Sequence, residues 1–176
     1  TSEAAESARD GRLSIRVLRS GRNRGKGHAV RMGALAARGR MVLFMDADGS
    51  TSIEEMDKLA PFLSQGFDVA IASRSVPGSD VQAPQPLGRR LMGKTFNQTL
   101  RLLGLTRFRD TQCGFKLFRL DAARALFSCQ RVEGFGFDVE ILFLARRWGF
   151  RVEEVPIVWR DSRESKVRIP ADPLRM

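Results

Sequence analysis

A run of five apolar residues followed at once by two aspartates constrains the fold more than any other feature of this sequence. The run is Met41–Met45, and the aspartates are Asp46 and Asp48. A strand that is apolar at every position, rather than at alternate positions, is typical of a parallel sheet covered by helices on both faces. We therefore expect residues 41–45 to form a central parallel strand of a doubly wound α/β sheet.

Strand-like and helical apolar patterns alternate around this run. In the first half, strands are predicted at residues 13–18 and 67–72, and helices at residues 27–37 and 52–63. Ser52 is predicted to cap the second of these helices, with Glu55 completing a capping box. In the second half, helices are predicted at residues 87–103, from residue 121 and at 137–148. Strands are predicted there at residues 114–118 and 152–158. The first half therefore has the order βαβαβ, and without repeats or a linker we expect one domain over residues 1–176.

Composition limits the partners of this domain. The chain of 176 residues carries 30 Lys and Arg against 20 Asp and Glu, a net charge of +10. This balance favours an anionic partner, which could be a nucleic acid, a phosphate-bearing substrate or an acidic membrane surface. Two cysteines make no disulfide framework, and no uncharged apolar run approaches the roughly 18 residues of a membrane-spanning helix. We expect a soluble or at most peripheral domain.

The two ends of the chain predict that it is part of a longer protein. The first residue is Thr1 rather than Met, and the last residues, from Pro170 to Met176, show no capping pattern. Both ends are therefore expected to have been cut out of something longer.

The aspartates after the apolar run are a candidate metal site. Residues two apart on an extended chain point the same way, so the carboxylates of Asp46 and Asp48 are expected to converge. No counter-charge lies nearby in sequence, and two converging carboxylates repel unless a cation lies between them. Hard oxygen ligands suit Mg²⁺ or Mn²⁺. The alternative is that both aspartates merely cap the next helix.

A glycine-rich turn before the first predicted helix is a candidate phosphate site. Gly25, Lys26 and Gly27 open this helix, and Asn23 precedes them. Backbone N–H groups and cationic side chains at such a turn can bind a phosphate. The turn matches neither a Walker loop nor a dinucleotide fingerprint, so a purely structural role is the alternative. His28 is the only histidine, which excludes a multi-histidine zinc site.

Two further patterns leave alternatives open. The helix predicted after Leu87 places a polar stripe on one side, made of Arg90, Lys94, Asn97 and Arg101. This stripe could bind a phosphate, lie on anionic lipid or simply face water. Asp138 and Glu140 begin another predicted helix, where carboxylates can complement the helix dipole. A catalytic carboxylate is the alternative there.

Taken together, five motifs resemble a known family in their order along the chain. The resemblance is to the dolichyl-phosphate glucosyltransferases among the family-2 glycosyltransferases, which have the GT-A fold. It covers residues 21 to 168. The motifs are Gly25-Lys26-Gly27 with Gly33, Asp46-Ala47-Asp48-Gly49, the run from Arg109 to Phe118, Phe137-Asp138-Val139-Glu140, and Glu164-Ser165-Lys166.

The resemblance implies a reaction and roles for individual residues. The implied reaction transfers a sugar, with inversion, from a nucleotide-diphosphate donor to a polyprenyl phosphate, with Mg²⁺ or Mn²⁺ bridging the donor phosphates. Asp46 and Asp48 match the metal-binding DxD motif, and Asp48 is also implied in catalysis. Asp138 matches a position considered for a catalytic base, and a positioning role fits it equally. The implied donor-binding residues are Asn23, Lys26, Gly27, Asp46 and Arg74, and the implied acceptor-phosphate residues are Lys94, Lys116, Arg119 and Lys166.

The same resemblance orders the possible donors and partners. The run from Asp110 to Lys116 is closer to glucosyl than to mannosyl enzymes, so UDP-glucose is favoured over GDP-mannose. A polyprenyl phosphate acceptor implies peripheral contact with the cytosolic face of a membrane. A non-catalytic remnant of the fold that binds nucleotide or lipid is an alternative. A nucleic-acid-binding domain is less favoured, because Tyr is absent and most Phe residues lie in apolar runs.

The resemblance also predicts an incomplete donor site. Relatives begin with two strands that hold the nucleotide base and ribose, and neither has a counterpart in this sequence. The 176-residue chain by itself is therefore expected to bind a UDP-sugar weakly or not at all, and to be inactive.

Overall fold

The chain forms a mixed α/β structure in which helices cover both faces of a sheet. A computed structural model describes residues 14–82, 97–102 and 104–160, together with the single residues Glu3 and Thr95. The strands are β1 (Met41–Met45), β2 (Val69–Ser73), β3 (Asp80–Gln82), β4 (Phe115–Arg119), β5 (Val152–Pro156) and β6 (Val158–Arg160). The helices are α1 (Lys26–Ala36), α2 (Met56–Ser64), α3 (Leu120–Cys129) and α4 (Phe137–Arg147), with a 3₁₀ turn at Ile53–Glu55.

The main sheet has four described strands in the order β1-β4-β2-β5. Strand β4 runs antiparallel to both of its neighbours, and β2 runs parallel to β5. Strands β1, β2 and β5 therefore point in one direction and β4 in the other, a mostly parallel arrangement with one reversed strand. A second small sheet pairs β3 with β6 in parallel. The predicted α/β class, with helices on both faces, is confirmed.

The prediction that residues 41–45 form a central parallel strand is wrong. Among the described strands β1 pairs only with β4, and that pairing is antiparallel. Met41 and Met45 are 44% and 39% exposed, so the run is not buried throughout. The strand buried at every position is β2, which is built largely from small residues. An apolar run reports the burial of side chains on average, but it carries no information on which strands lie beside it.

Two hydrophobic clusters pack on opposite faces of β2. Because side chains alternate along a strand, Val69 and Ile71 belong to one cluster and Ala70 and Ala72 to the other. The first cluster is completed by α1, α3 and α4, and the second by α2 with β6. Burying each Leu, Ile or Phe contributes roughly 1.5–3 kcal/mol. These two clusters therefore hold the sheet between its helices.

Two local predictions are also wrong. Residues 14–18 form no strand, and they pair with none of the described strands. The predicted capping box at Ser52 is absent, since no side chain caps this turn. The Glu55 carboxylate instead accepts a hydrogen bond from the Val158 N–H at 3.2 Å, which joins α2 to β6. Its partner lies about a hundred residues away, where a local motif gives no indication of it.

In the described parts of the chain, no helix combines the length and the apolar character needed to cross a bilayer.

Candidate functional site

The carboxyl end of β1 and the start of α1 meet at an ion pair. Lys26 is the first residue of α1, and Asp46 directly follows β1. The Lys26 Nζ lies 2.8 Å from Oδ1 and 3.1 Å from Oδ2 of Asp46. The same ammonium lies 5.3 Å from the centre of the Phe44 ring and 5.8 Å from that of Phe135. The fold thus supplies Asp46 with the counter-charge that its sequence neighbours lack.

Gly114 makes room for the Asp46 carboxylate. The Asp46 N–H donates a 2.8 Å hydrogen bond to the Gly114 carbonyl. A Cβ at position 114 would lie 1.9 Å from Oδ2 and 2.1 Å from Cγ of Asp46, which no side-chain shift of a few tenths of an ångström relieves. Gly114 was not among the predicted site residues. Only the pairing of β4 with β1 brings this glycine to Asp46.

Asp48 lies on an exposed turn beyond β1. Its Oδ1 accepts a 3.0 Å hydrogen bond from the Ser50 N–H, and Gly49 between them has a φ of +71°. This local bond holds the Asp48 side chain on the turn that follows Asp46. The predicted convergence of the two carboxylates stays a prediction: Asp46 contacts Lys26, and Asp48 bonds to its own turn.

The carboxylates at this turn fit a hard divalent cation whose other ligands are waters and substrate phosphates. No group of three or more His, Cys, Asp and Glu side chains in the described part of the chain could hold a metal. Asp46 and Asp48 therefore offer at most two carboxylates. Mg²⁺ and similar ions bind in this way, with one or two carboxylates, several waters and substrate phosphates. The space left by the missing Cβ of Gly114 holds one of these two carboxylates, that of Asp46.

The glycine-rich turn is packed against the segment that precedes α4. Gly25 has a φ of +104°, and a Cβ there would lie 2.5 Å from the Glu133 carbonyl oxygen. The His28 N–H donates to the same carbonyl at 3.1 Å, and the Glu133 side chain pairs with Arg24. The hydrogen bond from Arg24 lowers the pKa of the Glu133 carboxyl below its usual range. The turn that carries Lys26 is therefore fixed from outside by Glu133.

Asn23 and Gly27 serve this packing. The Asn23 Oδ1 accepts a 3.0 Å hydrogen bond from the Gly25 N–H. Gly27 is buried, and a Cβ there would lie 2.7 Å from both the Val132 carbonyl oxygen and the Phe137 Cβ. Both predicted donor-binding residues thus shape the turn that places Lys26 at the site.

Arg74, at the end of β2, forms a two-pronged ion pair with Asp110. Its Nε and Nη2 lie 2.7 Å and 2.9 Å from the two carboxylate oxygens, and its backbone N–H donates at 3.0 Å. The guanidinium also lies 5.2 Å from the centre of the Trp159 ring. Burial alone would raise the pKa of Asp110, but the Arg74 charge and its hydrogen bonds outweigh this effect and lower it. Asp110 is therefore ionised at neutral pH and fixes the Arg74 side chain.

Glu154 on β5 holds the backbone around Asp110. Its carboxylate accepts hydrogen bonds from the N–H groups of Arg109 and Asp110, the latter at 2.8 Å, and from the Ser73 hydroxyl at 2.8 Å. Glu154 was not among the predicted site residues. An acidic residue inside a predicted strand was the available signal, because such a residue needs a partner when it faces the protein.

Lys116 and Asp138 form a buried ion pair. Lys116 is 1% and Asp138 2% exposed, and the Lys116 Nζ lies 2.5 Å from Asp138 Oδ1. Burial raises the pKa of Asp138, and the Lys116 charge offsets this only in part. The same ammonium donates a 2.6 Å hydrogen bond to the Cys113 carbonyl. Lys116, predicted to bind the acceptor phosphate, is thus turned inward and fully engaged by the protein.

Of the remaining predicted acceptor residues, the structure describes only Arg119, and it lies away from this site. Arg119 pairs with Met41, at the end of β4 opposite the Asp46 end. Lys94 and Lys166 lie outside the described residues. In the predicted polar stripe, Arg90 also lies outside them, Arg101 is exposed, and Asn97 accepts a 2.8 Å hydrogen bond from the Thr111 hydroxyl. The Asn97 side-chain oxygen therefore bonds within the protein.

Comparison with known proteins identifies similar sequences. Residues 1–127 match the sequence model described as Glycosyl transferase family 2. A Drosophila melanogaster protein named dolichyl-phosphate beta-glucosyltransferase is 41% identical over 167 residues, which are 92% of this chain and 51% of that protein. The Saccharomyces cerevisiae and Homo sapiens proteins of the same name are 36% and 35% identical, over 92% and 87% of this chain and 52% and 49% of their own. The chain thus spans about half the length of these relatives.

Solved structures resemble the fold at lower identity. Glucosyl-3-phosphoglycerate synthase from Mycobacterium tuberculosis, in complex with Mn²⁺ and UDP-glucose, matches with a TM-score of 0.62 and 19% identity, over 94% of this chain and 52% of that one. The same enzyme in complex with Mn²⁺, UDP-glucose and phosphoglyceric acid matches with a TM-score of 0.61 at 20% identity, over 86% of this chain and 50% of that one. At this identity the likeness concerns the fold, and it confirms the predicted GT-A class.

Proposed function

Because the chain belongs to glycosyl transferase family 2, we propose that the full-length protein transfers a glucosyl group from a nucleotide-sugar donor to a dolichyl-type polyprenyl phosphate. The relatives named dolichyl-phosphate beta-glucosyltransferase support this acceptor and this sugar. The structural observation that carries the proposal is the ion pair of Lys26 with Asp46 at the carboxyl end of β1. In open α/β sheets, ligands bind beyond the carboxyl ends of the strands.

UDP-glucose is the donor we propose, and inversion is the proposed stereochemical course. The run from Asp110 to Lys116 resembles glucosyl rather than mannosyl enzymes, which supports UDP-glucose over GDP-mannose. The sugar of UDP-glucose is α-linked, so the β product in the relatives' names requires inversion at the anomeric carbon. A single displacement accounts for inversion without a covalent sugar–enzyme intermediate.

Asp46 and Asp48 are proposed to hold Mg²⁺ or Mn²⁺ together with the donor diphosphate. When bound, the cation supplies charge neutralisation for the departing diphosphate. Lys26 orients the Asp46 carboxylate and adds positive charge beside the phosphates. Arg74 can contribute further N–H groups, because Asp110 engages only its Nε and one Nη2 hydrogen of the five that a guanidinium carries.

The acceptor is itself the nucleophile in this proposal. A phosphate oxygen of the polyprenyl phosphate attacks the anomeric carbon while the bond from that carbon to the UDP oxygen breaks, and UDP leaves as an anion. Because the attacking oxygen is already anionic, no strong general base is needed. The chain's part is to place donor and acceptor in line and to balance the charge that develops on UDP.

We further propose that the protein works at the cytosolic face of a membrane by peripheral contact, since a polyprenyl chain resides in lipid. The net charge of +10 supports contact with anionic headgroups and with phosphate substrates. Lys94 and Lys166 are the residues proposed for the acceptor phosphate, whereas Lys116 is buried against Asp138 and Arg119 lies at the end of β4 opposite Asp46. Nucleic acid is not proposed as a partner.

A donor panel tests this function. Full-length protein is incubated with radiolabelled UDP-glucose or GDP-mannose, a short polyprenyl phosphate and Mn²⁺, with and without a chelator. Transfer of label from UDP-glucose that the chelator abolishes is the expected result. Transfer of label from GDP-mannose alone would show that the transferred sugar is mannose and not glucose. Nucleotide or lipid binding without any transfer would identify a non-catalytic member of the family and overturn the proposal.

A further inference from the structure

We propose that the buried pair of Lys116 and Asp138 is a positioning device that fixes the Asp46 carboxylate through the Cys113–Gly114 segment. This inference rests on the proposed function, because it assigns Asp46 to the donor and metal site. It makes Asp138 a positioning residue that acts at a distance, and it removes Lys116 from contact with the acceptor phosphate.

The first step of the connection is the ion pair itself. Asp138 lies in the first turn of α4, and Lys116 is the second residue of β4. The Lys116 Nζ lies 2.5 Å from Asp138 Oδ1 and 2.6 Å from the Cys113 carbonyl oxygen. The ammonium therefore ties the start of α4 to the backbone that leads into β4.

The second step runs from this backbone to Asp46. Gly114 follows Cys113, and its carbonyl accepts the Asp46 N–H at 2.8 Å. The Cα of Gly114 packs so closely on the Asp46 side chain that an added Cβ would lie 1.9 Å from Oδ2. A movement of the Cys113 carbonyl therefore moves both the hydrogen bond and the surface on which the Asp46 carboxylate rests.

Burial explains why the pair suits positioning. Both side chains are 1–2% exposed, so the protein has removed two charges from water. Buried ion pairs often contribute little net stability compared with apolar residues of similar volume. This pair instead fixes the position of the Lys116 ammonium, because the ammonium contacts the Asp138 carboxylate and the Cys113 carbonyl at once. A substrate could not reach either charged group in this arrangement.

The competing assignment, Asp138 as a base in contact with substrate, makes different predictions. A base contributes to the chemical step and sets the acidic limb of the pH profile of kcat. A residue that positions Asp46 acts on the affinity for metal and donor, and residues that orient metal ligands typically change that affinity roughly 10–100-fold. Substitution of Asp138 therefore separates the two roles by binding measurements made without the acceptor.

The experiment measures Mn²⁺ and UDP binding to full-length protein by calorimetry, for Asp138→Asn, Asp46→Asn and the double variant. Asp121→Asn is the control, since Asp121 is an exposed aspartate in the first turn of α3. We expect Asp138→Asn to weaken Mn²⁺-dependent UDP binding roughly 10–100-fold, and Asp121→Asn to leave it unchanged. In the Asp46→Asn background, Asp138→Asn should weaken binding no further, because both changes act on the same carboxylate.

Two results would overturn the inference. One is parent-like UDP binding by Asp138→Asn together with a loss of kcat and of its acidic limb. The other is an Asp138 effect on binding that persists in the Asp46→Asn background. These outcomes leave the proposed function standing, whereas absence of any metal-dependent UDP binding in the parent protein would remove the proposed function itself.

A second variant tests the inference even where Asp138→Asn unfolds the protein. Replacing both members, Lys116→Met with Asp138→Leu, leaves no unpaired buried charge and should restore thermal stability to near the parent value. Since the Cys113 carbonyl still loses its ammonium donor, this double variant should fold and yet bind Mn²⁺–UDP weakly. Parent-like binding by the folded double variant would overturn the inference.

Discussion

The ammonium of Lys26 lies 2.8 Å from the carboxylate of Asp46, where the first turn of α1 meets the end of β1. This pair gives Asp46 a positive partner that is part of the protein. An anionic donor bound here would lie beside an Asp46 carboxylate that is already oriented. The Lys26 ammonium could contact both this carboxylate and a phosphate of the donor.

Lys26→Met in the full-length protein should lower the affinity for UDP in the presence of Mn²⁺ by about ten-fold or more, because one charge-assisted contact of roughly 1.5–3 kcal/mol is lost. Calorimetric titration measures this affinity. Lys58→Met is the matched control, since Lys58 is 46% exposed and pairs with Glu55 rather than with Asp46. Equal UDP affinity in both variants would contradict a role for Lys26 in donor binding.

Asp48→Asn should lower turnover by orders of magnitude, because a cation that bridges phosphates contributes several kcal/mol to the transition state. Initial rates of glucosyl transfer over a range of Mn²⁺ concentrations measure the effect. Asp57→Asn changes another exposed aspartate, in the first turn of α2, and should leave the rate unchanged. Unaltered metal-dependent turnover in Asp48→Asn would exclude Asp48 as a ligand.

Gly114→Ala should displace the Asp46 side chain, because the added Cβ would lie 1.9 Å from its Oδ2. We expect loss of Mn²⁺-dependent UDP binding, measured by calorimetry. The control is Gly33→Ala, which places a methyl group on α1 with no atom within 4 Å. That control should bind normally and gain up to about 1 kcal/mol of stability from its higher helix propensity. Normal UDP binding in Gly114→Ala would show that Asp46 tolerates another position.

The two cysteines should react very differently with thiol reagents. Burial raises the pKa of Cys113 to about 12, so almost none of it is thiolate at neutral pH, whereas Cys129 is exposed. Brief iodoacetamide treatment of the native protein, followed by peptide mass spectrometry, should show modification at Cys129, with Cys113 modified only in denaturant. A Cys129→Ser variant should lose the fast modification. Similar native labelling of both cysteines would contradict the buried position of Cys113.

The Arg74–Asp110 pair should make stability depend on pH in the acid range. The pKa of Asp110 is lowered in the folded protein, so its contribution is present above the unfolded pKa of about 3.9 and is lost as the pH falls through the folded pKa. Asp110→Asn should cost up to roughly 3–5 kcal/mol at pH 7.

Urea unfolding between pH 7 and pH 3, with Asp121→Asn as control, measures this contribution. The Asp110→Asn variant should lose less stability than the parent over the most acidic part of this range. Parallel curves for parent and Asp110→Asn would mean that the pair does not couple stability to pH.

The sequence predicted the local features of the fold and site better than the contacts between them. Strands were predicted at residues 41–45 and 67–72, where β1 and β2 lie, but the insertion of β4 between them depends on pairing with residues far along the chain. Lys26 and Asp46 were both chosen as donor-site residues, while their ion pair was not foreseen because twenty residues separate them. The role of Gly114 could not be predicted, since a missing Cβ matters only once the neighbouring strand is known.

The strand order of the main sheet has a consequence for how the chain acquires its structure. Every hydrogen-bonded pair of described strands joins strands that are not consecutive in sequence. When β1 and β2 leave the ribosome, the described strands that pair with them have not been made, because β4 and β5 come later in the chain. Topologies with such distant pairings fold slowly, often in milliseconds to seconds, and their unpaired edges are open to aggregation meanwhile. Synthesis of this protein therefore passes through a stage in which residues 41–73 are complete but lack the described strands that pair with them.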